Sequence, residues 1–189
     1  MKYDLNKKMT RFAQRTLEDF SRVLFEALTK KSIENITVGE LCEKANYPRA
    51  TFYNYFDDIY DLLNYCWKRM AGDIDIDDYP SIPAEERTYV LFERCYKYLS
   101  GYRSIIQKIM NHNPTDGRFV ESLRRYIREQ IYSIIVNSPC SEKYKVPYEL
   151  MAEHYANTIQ MLLEWCFIRD KQLSEEGALN ALHYLVEGL

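Results

Sequence analysis

Residues 37–56, TVGELCEKANYPRATFYNYF, constrain this chain more tightly than any other stretch. Thr37 and Glu40 stand at the spacing of a helix-opening capping box, and Val38, Leu41, Cys42 and Ala45 then recur on one helical face. Asn46 tolerates the left-handed backbone that stops a helix. Pro48 suits the first position of the next one, where its missing N–H would be unpaired anyway. The pattern predicts two short helices joined by a turn of about three residues. In the second helix, expected from Pro48 to about Tyr55, Phe52 and Phe56 lie four apart and bury together. That turns Ala50 and Asn54 directly outward and leaves Thr51 and Tyr53 on the flanks.

Helical spacing continues through the rest of the chain, and strand-like alternation is confined to IDID. Leu17, Phe20, Leu24, Ala27 and Leu28 form the buried stripe of a first helix over residues 10–30 or so. A fourth helix runs from about Asp58 through Leu62, Leu63, Trp67 and Met70. The Gly/Pro/Asp-rich GDIDIDDYPSIPAEE then marks a break. Five further helices are expected at about 84–100, 102–112, 118–138, 147–170 and 174–187, separated at Gly101, NHNPTDG, SPCSEKYKVP and KQLS. The fold class is therefore all-α, with about nine helices: a three-helix helix-turn-helix domain over 1–57 and a helical domain over 58–189.

Chemistry is argued against by what the residues fail to form. Six glycines never lie closer than 11 residues apart, so no phosphate-binding glycine loop exists, and there is no G-x-S-x-G. His112, His154 and His183 have no partner at H-E-x-x-H spacing. Residues 73–84 open like a calcium loop, but Asp78 stands where the sharp turn needs Gly and Ala84 where a bidentate Glu belongs, so they read as a solvated linker. No enzyme activity, metal or cofactor is expected. Five scattered cysteines without a C-x-x-C pair read as reduced, mostly buried thiols. With neither a signal peptide nor a membrane span in the sequence, a cytoplasmic protein is expected.

The net charge of -3 is unevenly spread. Residues 1–70 hold 12 Lys/Arg against 10 Asp/Glu, whereas 71–189 hold 13 against 18. Lys2, Lys7, Lys8, Arg11 and Arg15 crowd the start against Asp4 alone. That is the footprint of an arm near phosphate, or equally of a solvated tail.

The stretch TVGELCEKANYPRATFYNYFDDIYDLL resembles the signature of TetR-type (TetR/AcrR family) transcriptional regulators, most specifically in its T-F-Y-x-Y-F core at 51–56. The likeness covers about residues 10–65. A weaker echo is AEHYANTIQMLLEWCFIRDKQLSEEGALNALHYL, similar to the last two helices of small regulators of this type and carrying Trp165. The resemblance implies a bacterial, homodimeric regulator of double-stranded DNA with a palindromic operator, a repressor relieved by a small molecule. Together with the helical geometry it places Arg49, Ala50, Thr51, Tyr53, Asn54 and Tyr55 at the DNA, with Lys8 and Thr37 on phosphates. Three positions depart from the family pattern: Asn46 replaces the turn glycine, Pro48 a small residue, and Ile59 a phosphate-contacting lysine.

Two further expectations concern the second domain. Its last two helices carry more apolar surface than one internal face needs, so Ile159, Leu162, Leu163, Cys166, Leu179, Leu182, Leu185 and Val186 are expected at a dimer interface built as a four-helix bundle. In the family the fourth helix links the reading head to the effector core. An effector pocket is accordingly expected among Trp67, Met70, Phe92, Tyr96, Tyr102, Met110, Tyr126, Met151 and Tyr155, whose uncharged character suits a hydrophobic or aromatic molecule. The alternative is a helical regulator of the same fold that docks a protein partner and has no small-molecule inducer; a solid aromatic core would favour it.

Overall fold

Thr10 opens the first helix by accepting the Ala13 N–H at 3.2 Å, and the chain continues as nine α-helices among the described residues. The computed structural model describes residues 9–74, 78–83, 85–137 and 146–187. The N-terminal head comprises α1 (Arg11–Leu28), α2 (Val38–Ala45) and α3 (Arg49–Tyr53), leading into α4 (Ile59–Gly72). Beyond it come α5 (Arg87–Gly101), α6 (Arg103–Met110), α7 (Arg118–Val136), α8 (Tyr148–Leu163) and α9 (Glu175–Glu187).

The head is built as its sequence directs. Thr37 caps α2 by accepting the Glu40 N–H at 3.2 Å. Glu40 does not complete the reciprocal box; its carboxylate takes Lys31 and, at 2.8 Å, Lys44. Asn46 sits in the left-handed region at φ 57° and ψ 45°, and the Tyr47 N–H returns to the Cys42 carbonyl at 3.0 Å, closing α2. Phe20, Phe52 and Phe56 are fully buried, with Phe20 edge-on to Phe52 at 5.4 Å and Phe52 5.5 Å from Phe56. The helix-turn-helix angle is further fixed by Tyr47, whose ring packs on Phe20 and whose hydroxyl donates to Asp19 at 3.1 Å. α4 starts on three interlinked aspartates: Asp58 accepts the Asp61 N–H at 2.8 Å, and Asp61 accepts the Asp57 N–H at 3.1 Å.

Two apolar cores share the molecule. The first gathers α1–α4 and extends past residue 58 through Leu62, Leu63, Cys66 and Trp67, taking in Ile109, Phe119 and Val120 from the second half. The second unites α5, α7, α8 and α9 around Leu91, Phe92, Ile159, Phe167 and Leu182. α4 is the seam: the Trp67 indole N–H donates to Ser122 at 3.2 Å and its ring meets Phe25 and Phe119.

The last turn of α8 widens into a π-helical segment, Glu164–Ile168. Its loosened carbonyls find partners on α6, where Arg103 donates to the Cys166 carbonyl at 3.1 Å and Gln107 to that of Phe167 at 3.3 Å. Buried Glu164 is held by Arg124 (2.8 and 3.2 Å), Arg169 (3.1 and 2.9 Å) and Gln160 (3.0 Å). The Arg124 guanidinium, then Arg169, keep its carboxyl below the usual range despite burial.

The expected dimer residues need correction. Ile159, Leu162, Leu163, Cys166 and Leu182 are buried inside the single chain, where α8 and α9 pack on α5 and α7, so they offer nothing to a second copy. Leu179, Leu185 and Val186 are partly buried against the same core. The apolar side chains that these helices expose are instead Leu150, Met161 and Trp165, with Tyr184 on α9.

Candidate functional site

Two features of the molecule are candidates for function: the outward face of α3 and a cavity under α4. On α3, burial of Phe52 sets the direction of every neighbour. Ala50, Tyr53 and Asn54 are exposed and Thr51 is half-buried. Tyr55 is a correction: α3 ends at Tyr53 with Asn54 as its cap, and the chain turns so that Tyr55 is only 6% exposed, within the first core. Thr37 is exposed at the start of α2. Lys8 lies outside the described residues.

Arg49 is exposed but folded back onto α2. A side-chain carbon at Gly39 would stand 3.2 Å from the Arg49 Cζ, so only glycine leaves the guanidinium this seat. Sequence reasoning missed Gly39, although it is the only glycine before residue 72. Arg11 and Arg15 are exposed on the first turns of α1, beside Phe12 at 66% exposure. Ile59, at the position of the family's lysine, packs partly against the first core.

Under α4 lies a cavity of about 620 Å³, adjoining a second of about 450 Å³. Trp67, Met70, Tyr98, Leu99, Leu123, Ile127 and Leu163 line both, making two lobes on either side of the α4 edge. Tyr102 lines the larger lobe and Tyr126 the smaller. Five expected pocket residues line neither. Phe92 and Tyr96 are buried in the second core, the Tyr96 hydroxyl donating to the Leu173 carbonyl at 2.6 Å. Met110 packs on the first core, Tyr155 on the second, and Met151 is half-buried on α8. The larger lobe has an unexpected wall from the N-terminal head itself: Glu18, Asp19, Ser21, Arg22 and Phe25 of α1.

The lining is mostly apolar, with its charges largely matched. Arg69 meets Glu18 at 3.4 Å, Arg22 meets Asp19 at 3.3 Å, and Arg124 meets Glu164. Cys66, in the wall, has its thiol pushed up to about 11 by burial, which leaves it protonated and inert. Among the described residues no group of three or more His, Cys, Asp or Glu is placed to hold a metal ion, and no helix is long and apolar enough to cross a membrane.

Neither the known protein-family models nor the curated proteins include a match to the chain. Solved structures do match. The fatty acid degradation regulator FadR from Bacillus halodurans superposes with a TM-score of 0.64 at 14% identity, over 97% of this chain and 98% of that one. FadR from Bacillus subtilis, in complex with stearoyl-CoA, gives 0.57 at 16% identity, over 91% and 98%. A TetR-like transcriptional regulator from Rhodococcus sp. RHA1 gives 0.54 at 13% identity, over 94% and 96%. From head to last helix, then, the chain has the fold of TetR-like transcriptional regulators.

Proposed function

We propose that this protein is a homodimeric, sequence-specific DNA-binding transcriptional regulator of the TetR type, a repressor released by a small molecule with an apolar body. The observation that carries the reading is the small, polar outer face of α3, held rigidly by the buried Phe52 and Phe56 at the right size for a DNA major groove about 12 Å wide. Arg49 swings from its seat over Gly39 to a base edge, Asn54 reads a second base, and Tyr53 and Thr37 meet phosphates. Arg11 and Arg15 add sequence-independent attraction.

Dimerisation places two heads on one palindrome, about 34–36 Å apart or one DNA turn. The stripe Leu150, Met161 and Trp165, 59%, 48% and 43% exposed, is the α8 half of the interface, and Tyr184 at 65% the α9 half. Their spacings of 11 and 4 residues keep the three side chains on one face of α8 and its π-helical continuation. The cavity supports small-molecule control over docking of a protein partner: its 620 Å³ lies within the range of ligand sites, and it touches α1 of the head and α4, the helix that leaves it, at once. Occupancy that favours a head spacing unfit for DNA releases the repressor, a coupling of about 1–3 kcal/mol in typical cases.

Selection of bound duplexes from a random library tests this reading. A palindromic motif, together with a dimer mass by light scattering at micromolar concentration, is the expected result. Recovery of no motif from a folded protein, or a monomer mass, would contradict it.

A further inference from the structure

The charged side chains of the larger lobe are Glu18, Asp19, Arg22, Arg69, Asp73, Arg124 and Glu164, and three arginine–carboxylate pairs account for all but one. The remaining group is Asp73. Among the described residues the one hydrogen-bond partner of its carboxylate is the Tyr98 hydroxyl, at 3.3 Å; Asp73 is exposed, at the rim of the lobe, and has no cationic side chain as a partner. Asp73 is also the C-cap of α4, a 14-residue helix whose end carries the partial negative charge of its carbonyls. Beside it the rings of Tyr98 and Tyr102 stand 5.1 Å apart and 49° to one another, forming an aromatic corner at the same end of the cavity. A carboxylate, a helix C-terminus and two π-faces all favour one kind of guest, a cation held at the exposed rim of the cavity. An anionic guest would find every arginine of this lobe already paired.

We propose that the cavity takes an apolar molecule bearing a single positive charge, an alkyl or aryl ammonium, with its cation at Asp73, Tyr98 and Tyr102 and its body against Trp67 and Met70. This rests on the reading of the cavity as the effector site, and it narrows that reading to one charge class. Neutral apolar molecules enter the same space more weakly, because burial of their surface is their only gain.

The test uses the full-length protein and an uncharged fluorescent reporter of apolar cavities, N-phenyl-1-naphthylamine. Decyltrimethylammonium, the neutral decyldimethylphosphine oxide and the anionic decyl sulfonate are compared as displacers below their micelle concentrations. The cation is expected to displace the dye at a concentration about tenfold lower than the neutral compound. Asp73→Asn should bring the two within about twofold while leaving dye affinity unchanged, and Asp73→Glu should retain the preference. Dye affinity doubles as the check that each variant is folded. Equal displacement by cation and neutral compound, or a preference that survives Asp73→Asn, overturns the cation assignment and leaves the effector site standing. A wild-type protein that does not bind the dye overturns both.

Discussion

The reading head and the cavity-bearing half use the same helices but fix them differently. In the head and the helix that leaves it, α1, α2 and α4 begin on a side chain that accepts a backbone N–H, Thr10, Thr37 and Asp58, whereas α3 starts after Pro48 without one. In the second half, α5, α6, α7 and α8 begin without any such bond from their capping residue, while α9 has one, Ser174 accepting the Gly177 N–H at 3.1 Å. Side-chain caps specify a helix start locally, whereas uncapped starts depend on what the helix packs against. Most helix starts in the head are thus set by local side chains, around a core closed by three phenylalanines, and most of those in the other half depend on tertiary packing. The proposed function needs that division: a rigid surface to read a sequence, and an adaptable one to register a ligand.

The sharpest way to break the head is from inside. Phe52→Ala removes a fully buried ring that packs on both Phe20 and Phe56 and is expected to cost about 3–5 kcal/mol in denaturant unfolding, with loss of DNA binding. In the cavity-bearing half the counterpart is Glu164→Gln, which leaves Arg124 and Arg169 without their shared carboxylate. Those arginines are 37% and 53% exposed and regain water, so the loss is about 2 kcal/mol rather than the full cost of an orphaned buried charge. The same group gives the half its acid sensitivity. Because the folded carboxyl lies below its ordinary value, its contribution is complete above the ordinary carboxylate range and disappears as pH falls through the folded value. An acid titration of stability should therefore be shallower in Glu164→Gln than in wild type. Smallest is the turn: Asn46→Ala places a β-carbon in the left-handed region at φ 57° and should cost about 1 kcal/mol, while Asn46→Gly should be neutral within a few tenths.

This contrast also explains what can be read from sequence. Thr37, Asn46, Pro48 and Asp58 announce the head because caps and turns are local chemistry, and Gly101, NHNPTDG and KQLS divide the later helices for the same reason. The inward face of α8 is not legible. Apolar residues surround that helix, so Leu150, Met161 and Trp165 look as ready for burial as Ile159 and Leu162 until α5, α7 and α9 are in place. Nor does periodicity reveal the cavity wall, since Phe25 and Arg22 of α1 reach it only through the tertiary fold. The pattern misplaces Tyr55 because nothing in it marks that α3 stops two residues earlier.

The central claim is that the α3 face reads base sequence, and the direct measurement is fluorescence anisotropy with the selected palindrome and a scrambled duplex over a range of salt. Arg49→Ala should cut the preference for the palindrome by about 1–3 kcal/mol, the worth of one bidentate hydrogen bond to a base edge, while Thr37→Ala should weaken both duplexes alike and flatten the salt dependence. A folded Arg49→Ala protein that keeps wild-type affinity and preference would contradict the account.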